Sequence, residues 1–195
     1  MTRRSLLAAP LAAAAVAAAA AGCGGGTSHD AVPAAASSPA SVPAAPPNAS
    51  TAPVSDQDRT WLRDARQADL AEISAGRLAQ QKGTTAQIKS LGAMLVQDHT
   101  AADGKLTATA SRLGVEVPNA PSNVQLQQAD DLKRGSGRGF DRDWLSAMIG
   151  GHEQTIAKTR TEIAKGSSPE VKNLASSVLP ALQKHLANLQ KAQGG

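Results

Sequence analysis

Four long stretches of this chain carry apolar residues at steps of three and four, and that spacing limits the fold more than any other feature. Such spacing lines one face of a helix, and the face must be buried against something else. The first stretch predicts a helix over Asp56–Lys82, stopped at Gly83. The second starts at Thr84 or Thr85, with Gln87 placed for a capping box, and runs to Leu113 before Gly114. The third runs from near Asp141 to Lys165, before Gly166; the fourth takes Ser168 as N-cap, Pro169 and Glu170 in its first turn, and continues to about Ala192. Aromatic residues are 2% of the chain (Trp61, Trp144 and Phe140), and β-branched residues are sparse, so the core has to be helical.

The two short turns repeat one another. Lys82, Gly83, Ile88, Lys89 and Leu91 recur in order as Lys165, Gly166, Val171, Lys172 and Leu174, which suggests a duplicated helix hairpin, although common turn chemistry accounts for part of it. Between the hairpins lies a long connection, with one short helix expected around Val124 to Lys133. Two hairpins joined by a long crossover make an all-α, ferritin-like four-helix bundle; a plain up-down-up-down bundle has no need of such a connection.

Ahead of the helices the composition changes. Residues 1–22 read as an export signal, with Arg3 and Arg4 before an alanine-rich apolar run. "AAGC", ending at Cys23, resembles a bacterial lipobox, so Cys23 is the expected lipidation site and the membrane the expected partner; an ordinary cleaved signal is the alternative. "TRRSLL" also resembles a twin-arginine signal, leaving the export route open. Residues 23–54 are mostly Ala, Pro, Ser, Gly and Thr, with Cys23 and His29 among them and almost nothing large to bury, and are expected to form a tether without a fold. Residues 55–195 suffice for one domain. The net charge of +4 is dispersed, and its densest basic run, Lys133 to Arg142, is read as a solvated loop. Nucleic acid is therefore not an expected partner. The expected location is the extracytoplasmic side of the cell membrane, where another envelope protein could be a partner.

One polar residue interrupts each apolar stripe. The first helix reads Trp61, Ala65, Ala68, Glu72, Gly76, Ala79, and the second Ile88, Leu91, Leu95, His99, Ala102, Leu106, Ala110, Leu113. The third reads Leu145, Met148, His152, Ile156, Thr159, Ile163, and the fourth Val171, Leu174, Val178, Leu182, His185, Leu189, Ala192. Reflecting each hairpin about its turn brings Glu72 within one turn of His99 and His185 within one turn of His152, about 5.4 Å along the axis. Burying even one such group unpaired costs roughly 2–7 kcal/mol. Glu72, His99, His152 and His185 must therefore satisfy one another or share an ion. One carboxylate and three imidazoles suit a single zinc, copper or iron ion; a hydrogen-bonded polar layer with a protonated histidine is the alternative. Asp69 and Asp103 are read either as partly exposed or as partners that orient an imidazole from behind, and Asp98, on the flank of its stripe, is a third candidate for that role. Pro180 lacks an N–H and is expected to bend the fourth helix a turn before His185.

"LAEISAGRLA", "MLVQDHTAADGKL", "GFDRDWLSAMIGGHEQ" and "VLPALQKHL" together resemble the exported bacterial family catalogued as domain of unknown function 4142. The resemblance implies a ferritin-like fold and a secreted, periplasmic or membrane-attached protein. It places family residues at Glu72, Asp98, His99, His152 and His185, and carries no biochemical activity. Di-iron members of the ferritin-like group use two Glu-x-x-His motifs, and no histidine here has a glutamate three residues before it. A di-iron oxidoreductase is accordingly the least favoured reading. No Ser-His-Asp or Cys-His constellation and no phosphate-binding loop appears, so an enzyme is less expected than a binding or interaction protein.

Overall fold

The computed structural model describes residues 52–194; the expected export signal, Cys23, His29 and the expected tether up to residue 51 lie outside the described residues. Five helices follow in order: α1 Asp56–Lys82, α2 Ala86–Arg112, α3 Asn123–Arg134, α4 Gly137–Lys165 and α5 Pro169–Gln193. Among the described residues no helix is long and apolar enough to cross a membrane.

Local chemistry explains most of the helix ends. Ser55 and Asp58 close a capping box at the start of α1, the Asp58 carboxylate accepting from the Ser55 N–H at 2.7 Å. Thr85 caps α2 by accepting from the Ile88 N–H at 3.1 Å. The capping box expected with Gln87 does not form, because Thr84 instead donates its N–H (3.0 Å) and its hydroxyl to Asp141 on α4. Ser122 and Gln125 form a second box at the start of α3, and Ser168 caps α5, which runs on through Pro180.

The basic run is not a loop. Its first residues finish α3, Gly135 and Ser136 form the joint, and α4 starts at Gly137, ahead of the expected Asp141. Gly137 enters with φ 58°, a left-handed value that glycine adopts without strain. Burial of Phe140 and Trp144 offsets the cost of helical glycines, about 1 kcal/mol each.

The topology follows from who caps whom. Asp58, at the start of α1, accepts from the N–H groups of Ser167 and Ser168 at 3.1–3.3 Å, so the beginning of α1 sits against the α4–α5 turn. Asp141, at the start of α4, meets the α1–α2 turn at Thr84. Hence α1 and α4 are antiparallel neighbours, while α2 and α4 run the same way. The chain must return along a helix of about 40 Å between them, which is why the crossover is long and carries α3. Asp58 and Asp141 are separated by the same spacing as Gly83 and Gly166, and so are Trp61 and Trp144. Each indole donates across to the other hairpin, Trp61 to the Thr159 hydroxyl at 3.2 Å and Trp144 to the Ala75 carbonyl at 2.9 Å. The repetition seen in the turns therefore extends to the contacts that join the hairpins.

Within the first hairpin the backbones approach closely. A Cβ built on Gly76 would lie 2.7 Å from the Gly92 carbonyl oxygen, and one on Gly92 would lie 2.6 Å from that of Gly76. The apolar core falls into two clusters. One gathers Leu95, Phe140, Trp144, Met148 and Leu189, and the other Trp61, Leu62, Leu106, Val171 and Leu174. Most of the expected stripe positions are buried. Ile163 is only half-buried, and Glu162 takes the interior position because it accepts from Gln57 Nε2 at 3.1 Å beside Asp58.

Candidate metal centre

The polar interruptions meet. His99, His152 and His185 are 3%, 0% and 2% exposed, and their ring centroids lie 5.4–5.6 Å apart. Glu72 joins them from α1: its Oε2 is 2.9 Å from His99 Nε2 and 3.3 Å from His152 Nε2. His152 Nε2 is 3.3 Å from His185 Nδ1. The four residues drawn from the four stripes form one layer, with each hairpin contributing a pair at the expected heights.

The outer side of each ring settles its tautomer. His99 Nδ1–H donates to Asp69 Oδ1 at 2.7 Å, His152 Nδ1–H to the Met148 carbonyl at 2.9 Å, and His185 Nε2–H to Asp98 Oδ2 at 2.9 Å. Carboxylates and carbonyls only accept, so the protons belong on those outer nitrogens. The inner nitrogens, His99 Nε2, His152 Nε2 and His185 Nδ1, then face one another and Glu72 Oε2, and in the neutral rings they carry the lone pairs. His99 Nε2 and Glu72 Oε2 are buried without a well-formed hydrogen bond. The three histidines can present one nitrogen each within 4.8 Å of one another, close enough to hold a single metal ion.

Asp69 and Asp98 thus stand behind imidazoles, as the sequence suggests. Asp103 does not: it pairs with Arg66 Nε at 2.7 Å, because its helical position turns it toward α1 and away from the rings. The Met148 carbonyl was beyond sequence reasoning, since a backbone acceptor has no residue-type signature. Its only trace is the four-residue step between Met148 and His152 on one helix.

The electrostatics describe the layer with no ion bound. Burial raises the Glu72 carboxyl, but the imidazoles, His99 foremost, outweigh it and hold it below the ordinary glutamate range. Burial works against charge on His99 as well, yet Glu72 and Asp69 raise it to about 10. Burial pushes Asp69 up despite His99, and pulls His185 down despite Asp98. His99 is then an imidazolium held between two carboxylates.

The family described as "Domain of unknown function (DUF4142)" matches residues 43–192. The chain belongs to that family. No curated protein matches it. Among solved structures, the DUF4142 chain is similar to a DUF305 fragment from Deinococcus radiodurans, with a TM-score of 0.65 and 15% identity over 73% of this chain and 98% of that one. It is also similar to a conserved hypothetical protein from Mycobacterium tuberculosis, with a TM-score of 0.57 and 16% identity over 71% of this chain and 92% of that one. At such identities the likeness speaks for the fold alone, and that fold is the ferritin-like helical bundle.

Proposed function

We propose that this DUF4142 protein binds one divalent transition-metal ion through Glu72, His99, His152 and His185, and handles or senses that metal at the cell envelope as a lipid-anchored protein. One observation carries the reading: each imidazole has an acceptor fixed behind its outer nitrogen, so the three inner nitrogens and a carboxylate oxygen converge on one point, where a metal would displace the inner proton of His99 and leave three lone pairs as ligands. A cation is the simplest partner for such a set, and oriented histidines of this kind are the usual support of a metal ligand. Three nitrogens and one oxygen fit zinc, copper or iron(II), and the absence of Glu-x-x-His motifs argues against a di-iron centre. "AAGC" and the apolar run before it support export and anchoring through Cys23, and the composition up to Val54 supports a tether.

A second reading has its own observation. His99 lies 2.7 Å from Asp69 and 2.9 Å from Glu72, so an imidazolium between two carboxylates satisfies the layer without metal and makes it structural. Elemental analysis of the protein purified without a histidine tag separates the two. The metal reading expects one equivalent of metal, lost in His99→Ala/His152→Ala. Metal-free protein whose stability ignores both added metal and chelator supports the structural layer instead.

A further inference from the structure

A cavity of about 260 Å³ adjoins the candidate centre on the seam between α2 and α5. His99 and His185 form one end of it, together with their partners Asp69 and Asp98. Trp61, Leu106, Leu174 and Leu182 form its apolar body. Besides Asp98, the exposed lining at its mouth is Ala101, Lys105, Ser177 and Ala181, with Ala102 half-buried beside them. Pro180 lies beside Ala181, where it removes one backbone donor from α5. The hairpin repeat does not supply a second imidazole on this seam. At the repeat spacing His99 corresponds to Leu182 and His185 to Ala102, so each histidine has a small or apolar counterpart, and the cavity has imidazoles at one end only.

We infer that this cavity is a binding site for a small neutral nitrogen- or sulfur-donor molecule with an apolar body, which reaches the metal from the α2–α5 side. The inference rests on the metal reading above. Three arguments support it. An apolar cavity of about 150 Å³ suffices for benzene, so a single-ring heterocycle fits here with room to spare. Asp69 and Asp98, both accepting from the imidazoles that line the cavity, set two carboxylates against the single ammonium of Lys105 and disfavour an anion. Four protein ligands leave room for a tetrahedral centre to expand to a fifth donor, and two of the four, His99 and His185, line the cavity from which that donor would come. Binding forms one coordinate bond from the donor atom to the metal, and no electron or group is transferred.

The test uses the full chain, purified without a histidine tag and loaded with cobalt(II), whose ligand-field absorption responds to coordination number and donor set. Metal content is measured before and after each titration. Added 1-methylimidazole is expected to shift the spectrum saturably with cobalt retained, and azide, an anion, is expected to shift it less. Ala102→Leu/Ala181→Leu, which fills the mouth, should retain one equivalent of cobalt and lose the 1-methylimidazole response. Ala181→Leu alone, at an exposed position, serves if the double variant does not fold. Retained cobalt with no spectral response, or an equal response in the filled variants, overturns the inference and leaves the metal reading intact. Failure to bind cobalt at all removes the metal reading, and the inference with it.

Discussion

Glu72→Gln should measurably destabilise the metal-free protein while leaving the shape of the core almost unchanged. Glu72 Oε2 sits 2.9 Å from His99 Nε2 and, against the lowering effect of burial, does more than any other group to raise that imidazole to about 10. A histidine raised in the folded state contributes stability that is fully present below the unfolded value of 6.5 and is lost as the pH climbs through about 10. At pH 7 nearly all of it is present, and a difference of three pH units is worth roughly 4 kcal/mol. Asp69 remains in the variant and keeps a share, whereas removing one partner of a buried pair costs about 3–5 kcal/mol in general. The expected loss is therefore roughly 3 kcal/mol, or about 6–12 °C in thermal midpoint for a domain of this size. Guanidinium denaturation in the presence of a chelator measures it directly. At saturating zinc the gap should widen, since the neutral amide oxygen of the variant is a weaker metal ligand than a carboxylate oxygen. A loss below about 0.5 kcal/mol would refute the argument, because a change that small is typical of surface sites without a specific partner.

Other residues offer independent checks. Glu162 is buried beside Asp58, and burial, then Asp58, raises its carboxyl to about 7; stability should fall as the pH rises from 4.5 to about 7, and Glu162→Gln should flatten that fall, giving a higher thermal midpoint than the parent at pH 8 but not at pH 5. Asp58→Ala removes the acceptor for Ser55, Ser167 and Ser168 at once and should cost about 3–5 kcal/mol by urea denaturation, more than Asp141→Ala, whose acceptor serves Thr84 alone. Gly92→Leu forces α1 and α2 apart where a Cβ has 2.6 Å to the Gly76 oxygen; circular dichroism melting should show a loss of at least about 3 kcal/mol, whereas Gly104→Ala, inside α2 where a Cβ meets nothing, should gain up to about 1 kcal/mol.

Much of the fold was legible because its causes are local. The 3.6-residue period, the stops at Gly83 and Gly166 and the caps at Thr85 and Ser168 act within a few residues, and α1 and α5 lie where that chemistry puts them. The same period singled out Glu72, His99, His152 and His185 as interior, and reflection about two short turns brought them to one level. The start of α4 was not legible, since glycines at 137 and 139 read as loop until Phe140 and Trp144 find a core that other helices supply. Nor was the Asp58–Glu162 pair, because a carboxylate on a flank looks solvated until a turn distant in the sequence closes over it.

By itself, then, the sequence determined that four amphipathic rods form two hairpins and that each sends one metal-capable side chain inward, because periodicity and end signals are properties of neighbouring residues. The tertiary structure alone decided which ring nitrogen faces the centre. That choice depends on acceptors elsewhere in space: Asp69 across the first hairpin, the Met148 carbonyl one turn back, and Asp98 on the other hairpin. It likewise sent Asp103 to Arg66 and left a cavity on the α2–α5 seam, since hydrogen-bond direction and empty volume exist only between packed helices.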